Sequence, residues 1–145
     1  MVSEQILKKQ IKKIIKNEEW EKLRNIDVSP IKDFSRMFEN SNLPDTDYLI
    51  NWDVSNGINF SKMFNRCSSI RSLNGLKYWN VSKGKDFSYM FSCCSFLKSA
   101  KELINWDIQN EIPYSGCFFF CGFMNSDKEN DAGKKCLRNV VEMLS

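Results

Sequence analysis

Hydrophobic and polar positions recur along this chain at a nearly fixed spacing. Four similar strings begin 26 or 27 residues apart: Ile26-Asp27-Val28-Ser29, Trp52-Asp53-Val54-Ser55, Trp79-Asn80-Val81-Ser82 and Trp106-Asp107-Ile108-Gln109. Eight residues after the start of each string comes an aromatic residue, and then a Met-Phe or Cys-Phe pair. A small residue follows three positions later: Ser41, Cys67, Cys94 and Cys121. A period of this length predicts stacked units, each too small to bury its own apolar face.

Two hydrophobic periods alternate within each repeat. Trp52 and Val54 are two residues apart, which is typical of a short half-buried strand or an extended turn. The next apolar residues have the helical spacing i, i+3, i+4, i+7: Phe60, Met63, Phe64 and Cys67. Asn59, directly before them, is a good N-cap for a two-turn helix. The pattern predicts an α/β repeat, a solenoid of about 3.5–4 coils with a short helix between extended segments in each coil.

Amphipathic segments flank the repeats. A helical stripe is formed near the N-terminus by Leu7, Ile11, Ile14 and Ile15. Asn17 is the expected N-cap of a second short helix through Trp20 and Leu23. A third stripe, after Asp131, contains Cys136, Leu137, Val140, Val141 and Leu144. We therefore predict a single domain, 1–145, with an N-terminal helical cap at 1–25, repeats at 26–51, 52–78, 79–105 and 106–124, and a C-terminal helical cap at 125–145.

Charge is concentrated at one end of the chain. Of the formal net charge of +3, all lies in residues 1–25, which hold seven Lys or Arg and four Asp or Glu residues. No stretch approaches the roughly 20 apolar residues of a membrane span. The first residues lead into a lysine-rich segment without the apolar core of a secretion signal. We therefore expect a cytoplasmic protein without a membrane span.

The residue types argue against an enzyme or a cofactor protein. The chain has no histidine, which removes the commonest general base and metal ligand. Three of its six cysteines share one repeat position, so a buried, reduced column is favoured over a disulfide framework. Neither the Cys93-Cys94 pair nor Cys117 with Cys121 has the usual spacing of a zinc site. We predict no catalytic residue, no metal and no cofactor.

A column of short polar side chains follows the first apolar residue of each string: Asp27, Asp53, Asn80 and Asp107. Such residues commonly accept hydrogen bonds from the backbone two residues on and so fix a turn. The alternative is a cation-binding edge.

The strings resemble the BspA-like leucine-rich-repeat family of bacterial surface proteins, whose repeats run W-D-x-S followed by M-F-x-x-C. The resemblance rests on Trp52-Asp53-Val54-Ser55 with Met63-Phe64-Asn65-Arg66-Cys67, and on the corresponding residues of the next repeat. It covers about residues 4–124. It implies a leucine-rich-repeat-like solenoid that binds another molecule. The family's association with cell-surface adhesion is not matched by a secretion signal in this chain.

Two surfaces are candidates for binding. In the fourth repeat the polar pairs that follow the column Phe are replaced by Phe119 and Phe120, with Phe123 and Met124 close behind. This cluster is either an exposed anchor for a protein or packing under the C-terminal helix. A lysine face on the first helix consists of Lys8, Lys9, Lys12, Lys13 and Lys16. It is either a solvated surface or a contact for phosphates or an acidic protein.

These observations predict a non-enzymatic, macromolecule-binding protein that acts through protein–protein interaction inside the cell. They leave the oligomeric state open, with a monomer favoured. A narrower alternative is a small phage or mobile-element inhibitor of a bacterial defence system, such as an anti-CRISPR, acting by steric blockade. A further alternative is nucleic-acid binding through the lysine face.

Overall fold

The computed structural model describes residues 2–108 and 116–124. This part of the chain contains one α-helix, α1 (Glu4–Lys16), and four short 3₁₀-helices, at Trp20–Asn25, Thr46–Leu49, Asn74–Leu76 and Lys101–Leu103. The same residues form no β-strand, and two isolated parallel bridges join Asp33 to Asn59 and Asn59 to Asp86. Most of the polypeptide therefore runs in turns and extended connections.

The predicted α/β leucine-rich-repeat-like solenoid is wrong. Over the described residues neither the strand nor the two-turn helix expected in each coil is present. Residues 60–67 instead form three successive tight turns, in which the N–H groups of residues 63, 65 and 67 donate to the carbonyl three residues earlier. Lys62 (φ +57°) and Arg66 (φ +62°) occupy the left-handed region. A right-handed α-helix excludes that conformation.

The apolar spacing predicted the wrong backbone because a two-turn helix and a series of tight turns bury the same residues. Phe60, Met63, Phe64 and Cys67 are buried. The residues between them lie at turn corners and are partly or fully exposed: Ser61, Lys62, Asn65 and Arg66. The two left-handed corners recur in all four repeats, with φ between +56° and +66°: Arg36, Lys62, Tyr89 and Gly116, then Asn40, Arg66, Cys93 and Phe120. We call residues 34–41, 60–67, 87–94 and 116–121 the turn segments.

Backbone hydrogen bonds join each turn segment to the next one. The N–H groups of Phe60, Lys62, Phe64 and Arg66 donate to the carbonyls of Asp86, Ser88, Met90 and Ser92 at 2.8–2.9 Å. Equivalent bonds join repeats 1 and 2, and repeats 3 and 4. In residues 60–67 the N–H groups of Met63, Asn65 and Cys67 donate within the turns, and that of Ser61 donates to the Asn59 side chain. Alternate amides thus serve different partners, which explains why neighbouring repeats pair without forming a sheet.

Aromatic columns form the core between the repeats. Phe38, Phe64, Phe91 and Phe118 stack with centroids 5.5–5.7 Å apart and planes within 5° of parallel. Phe34, Phe60 and Phe87 form a second column at 5.3–5.4 Å. Equivalent side chains of successive repeats are therefore in direct contact, as the repeat period predicts.

Two further columns fasten each repeat to the one before it. The buried indole N–H groups of Trp52, Trp79 and Trp106 donate to the carbonyls of Leu23, Leu49 and Leu76 at 2.7, 3.1 and 2.8 Å. The buried thiols of Cys67, Cys94 and Cys121 donate to the carbonyls of Phe38, Phe64 and Phe91 at 3.0, 3.1 and 3.0 Å. The expectation of a buried Cys column is confirmed, and the three Trp residues are buried as well.

The predicted first helix is present as α1, with Leu7 and Ile11 buried against the first repeat. The expected second helix is the 3₁₀-helix Trp20–Asn25, and Asn17 lies at the C-terminal end of α1 rather than acting as a new N-cap. The predicted C-terminal helical cap, 125–145, lies outside the described residues.

Glu4 closes the open end of the first repeat. Its carboxylate accepts the N–H groups of Lys32 and Asp33 at 3.0 and 2.8 Å. In repeats 2 and 3 the corresponding amides of Ile58 and Lys85 donate to a carbonyl of the preceding repeat. Glu4 therefore supplies the acceptor that an earlier repeat would provide.

The repeats differ in length at a single place. Equivalent residues of the first two turn segments are 26 apart, whereas those of the second and third are 27 apart. The extra residue falls between Cys67 and Ile70, because the corresponding stretch of repeat 1, from Ser41 to Leu43, is one residue shorter. Ser68 and Ser69, which lie there, are both exposed.

Candidate interaction surface

The corners of the turn segments line up into one continuous surface, which we call the turn face. Each repeat contributes two pairs of adjacent corner residues. From repeat 1 to repeat 4 the described corner residues are Ser35-Arg36 and Glu39-Asn40, Ser61-Lys62 and Asn65-Arg66, Ser88-Tyr89 and Ser92-Cys93, and then Gly116 and Phe119-Phe120; of these Ser92 is buried and contributes no surface. The hydrogen bonds between turn segments fix the register of these pairs, so equivalent corners are neighbours.

The half of the turn face in repeats 1 and 2 is polar and cationic. Arg36 forms an ion pair with Glu39 at 3.1 Å. The other Glu39 oxygen accepts the Asn65 side-chain amide at 3.0 Å. No carboxylate within ion-pair distance of Lys62 or Arg66 is found in the described ranges. The net positive charge of this half therefore resides on those two side chains.

The half in repeats 3 and 4 is aromatic. Phe119 is 39% and Phe120 63% exposed, and their rings meet edge to face with centroids 4.2 Å apart. Tyr89 is 41% exposed, and the Lys62 ammonium lies 5.9 Å from its ring centroid. The Tyr89 ring lies on the backbone of Gly116, where a Cβ would approach a ring carbon to 2.4 Å. A side chain at position 116 would therefore displace the tyrosine.

The four aromatic and Met residues singled out from the sequence divide into two groups. Phe119 and Phe120 are exposed on the turn face. Phe123 and Met124 are partly buried and pack against the core, with the Phe123 ring 5.7 Å from that of Phe118. Tyr89 was not predicted as a site residue, although its 27-residue spacing from Lys62 and from Gly116 places it in the same column.

The lysine face is only partly free. Lys8 forms an ion pair with Asp33 at 3.5 Å and so helps to hold α1 on the first repeat. The remaining four lysines are exposed: Lys9, Lys12, Lys13 and Lys16. A shallow groove of about 340 Å³ beside α1 includes Lys13, but the ion pair between Glu19 and Lys22 also lines it. That groove therefore carries both charges and is not a dedicated anion site.

The short polar column fixes turns, as expected. Asp27, Asp53 and Asn80 accept the N–H of the serine two residues on at 3.0, 3.0 and 3.1 Å. Hydrogen bonds from Ser29 lower the pKa of Asp27. Asn59, which was expected to be a helix N-cap, makes the same contact, as do its equivalents Asp33 and Asp86: the three side chains accept the N–H groups of Ser61, Ser35 and Ser88 at 2.8–2.9 Å. These side chains accept backbone N–H groups as an N-cap residue does, but the segments that follow them are turns and not helices.

The cysteines are poor nucleophiles where they are buried. Burial raises the pKa of the Cys67 thiol to about 11 and that of Cys117 to about 12, and it also raises the pKa of Cys94. Cys93, on the turn face, is partly exposed. No group of three or more potential His, Cys, Asp or Glu ligands lies together in residues 2–108 or 116–124. Within the same ranges, no helix is both long and apolar enough to cross a membrane.

A comparison with protein families matches residues 7–130 to a family described as "Mycoplasma protein of unknown function, DUF285". The chain belongs to this family. The match includes the whole described turn face, whereas Glu4 lies before its first residue. Comparisons of this DUF285 chain with curated proteins and with solved structures find no match.

Proposed function

We propose that this protein is a non-enzymatic binding protein that contacts another protein through the turn face, with Phe119 and Phe120 as the anchor. The observation that carries the proposal is the exposed edge-to-face pair in repeat 4. Burial of large apolar side chains that are exposed to water is favourable, and such side chains commonly form the centre of a protein interface. The corresponding corners of repeats 1 and 2 are polar, so stacking of the repeats does not require these rings.

The chemistry of the remaining side chains supports binding rather than catalysis. The chain has no histidine. The high pKa of the buried thiols keeps them protonated at neutral pH, and their S–H groups are engaged with backbone carbonyls. A catalytic nucleophile needs the opposite arrangement, an accessible thiol activated by a base.

The finer kinship with the BspA-like surface proteins is also a proposal, resting on the W-D-x-S and M-F-x-x-C strings. It concerns sequence ancestry and a shared binding role, and it carries no leucine-rich-repeat fold. We propose an intracellular site of action for the chain.

Photo-crosslinking tests the proposed function directly. A photoreactive phenylalanine at position 120 should capture a protein in nuclease-treated lysate of the native host, whereas the same group at Tyr78, the most exposed aromatic away from the turn face, should not. Capture at both positions, or at neither, would refute a turn-face protein interface.

Substitution of Phe120 then measures its contribution to affinity. Phe120→Asn suits the backbone, because Asn40 occupies the same corner of repeat 1 at the same φ of +59°. We expect affinity for the captured partner to fall by about 2 kcal/mol or more, as for an interface anchor, with unchanged stability. Tyr78→Asn is the matched control. A well-folded Phe120→Asn protein that binds normally would contradict the proposal.

Nucleic-acid binding is the second candidate, favoured by the four exposed lysines of α1. If it holds, substitution of those residues by Gln should abolish an affinity for DNA or RNA that falls steeply with salt concentration. Lys8 should be left in place because its ion pair with Asp33 is part of the fold.

A further inference from the structure

We propose that the turn face recognises an acidic, extended segment of its partner that carries a large apolar residue about three positions from a carboxylate. This inference rests on the proposed function and adds the partner's chemistry to it. The apolar residue would pack on Phe119 and Phe120, and the carboxylate would lie at Lys62 and Arg66.

Charge complementarity selects an acidic ligand. Arg36 is neutralised by Glu39, so Lys62 and Arg66 are the cations that the turn face offers in its described part. Arg66 is exposed, and Lys62 is partly exposed with its ammonium against the Tyr89 ring. A ligand carboxylate placed there would meet two positive charges without displacing an existing ion pair.

The distance between the two halves sets the spacing within the ligand. Phe120 and Arg66 occupy the same corner two repeats apart. The aromatic column beneath them advances 5.5 Å from Phe64 to Phe91 and 5.7 Å from Phe91 to Phe118. Two steps are about 11 Å, which an extended chain rising roughly 3.3 Å per residue covers in about three residues.

The aromatic half disfavours nucleic acid at this surface. Two cations against three exposed rings give little charge for following a phosphate backbone, which carries one charge at every nucleotide. The rings could in principle stack on bases, so a single-stranded oligonucleotide is included as a competing probe.

The test uses fluorescein-labelled peptides and fluorescence anisotropy. The first peptide has acidic residues and one phenylalanine three positions from the nearest carboxylate. Three comparison probes are the same peptide with serine for phenylalanine, the same peptide with lysine for the acids, and a mixed-sequence single-stranded DNA. We expect the acidic phenylalanine peptide to bind at least about tenfold more tightly than any comparison probe, since it alone offers both groups.

Protein variants then localise the binding. Phe120→Asn and the pair Lys62→Glu with Arg66→Glu should each weaken the acidic peptide about tenfold or more. The matched controls are Tyr78→Asn and the pair Lys98→Glu with Lys101→Glu, which reverse two exposed lysines outside the turn segments. These controls should change affinity less than about twofold. Circular dichroism confirms folding of each variant.

Several outcomes would overturn the inference. One is an equal loss of peptide affinity in the control pair Lys98→Glu with Lys101→Glu. The others are tight binding of the lysine peptide and DNA binding that depends on Lys62 and Arg66. Crosslinking from position 120 to a protein, without any acidic-peptide binding, would sink the inference and leave the proposed function intact. If no protein is crosslinked from position 120, the proposed function itself is refuted.

Discussion

Phe64→Ala removes a side chain from the middle of the aromatic column Phe38, Phe64, Phe91 and Phe118. The Phe64 ring is fully buried and stacks on Phe38 and Phe91, each at 5.5 Å and within 3° of parallel. It also packs at 34° against Trp79, with centroids 6.3 Å apart. The substitution therefore breaks contacts between repeats 1 and 2 and between repeats 2 and 3 at once.

The expected loss of stability is about 5 kcal/mol. Truncation of a buried Phe to Ala costs about 3–5 kcal/mol through lost burial and the cavity that remains. Each aromatic pair adds about 0.5–1.5 kcal/mol beyond burial. With three partner rings, Phe64 belongs at the top of the range. Neighbouring turn segments are held in register by backbone hydrogen bonds, which limits collapse of the repeats into the cavity.

Urea unfolding followed by tryptophan fluorescence measures this loss. Phe64→Leu retains apolar volume but loses ring stacking, so it should cost about 1–2 kcal/mol. Phe96→Ala is the exposed control; its ring is 56% exposed and we expect a change below about 1 kcal/mol. A Phe64→Ala loss below about 1 kcal/mol, or one no larger than that of Phe96→Ala, would refute the role assigned to the column.

Substitutions at three other residues test separate features of the fold. Trp79→Phe removes the indole N–H that donates to Leu49 and should cost about 1–2 kcal/mol in urea melts; an unchanged midpoint would contradict this. Glu4→Ala removes the acceptor of two backbone amides and should cost about 1 kcal/mol, whereas Glu4→Gln, which keeps an oxygen, should cost less; equal losses would argue against the contact. Because the folded pKa of Cys67 is raised from 9.0 to about 11, its contribution to stability is present below pH 9.0 and is lost as pH rises toward 11. Cys67→Ser introduces the residue found at the equivalent position of repeat 1, Ser41. Between about pH 8 and about pH 11 the free energy of unfolding of this variant should therefore fall by less than that of the wild type, the difference being up to about 3 kcal/mol. Identical pH profiles would contradict this.

The sequence predicted which residues are buried better than it predicted the backbone that buries them. The period alone identifies Trp79, Phe64 and Cys94 as column residues, because stacking of equal units places equivalent side chains together. The spacing i, i+3, i+4, i+7 cannot separate a helix from successive turns. Left-handed corners normally reveal themselves by Gly or Asn, yet here Lys62 and Tyr89 occupy them. Of the eight corners, only Asn40 and Gly116 carry that residue-type signal.

The candidate surface was predicted in part for the same reason. Phe119 and Phe120 stood out because they replace polar pairs at equivalent positions. Lys62 and Tyr89 lie at equivalent positions, as do Arg66 and Phe120, so the repeat period alone places them in shared columns. The sequence did not show that these positions are left-handed turn corners, because their apolar spacing predicted a helix.

The extra residue at Ser68–Ser69 identifies the place where the chain accepts a change of length. A residue added inside a turn segment would shift every following amide out of register with the next repeat. The exposed stretch after Cys67 absorbs one without disturbing either neighbour. Divergence of the repeats by insertion should therefore accumulate at this stretch, and an epitope or a fluorophore attachment loop placed there should leave the stack assembled. The same allowance lets individual repeats lengthen outward, giving each its own projecting loop while the turn face keeps its spacing.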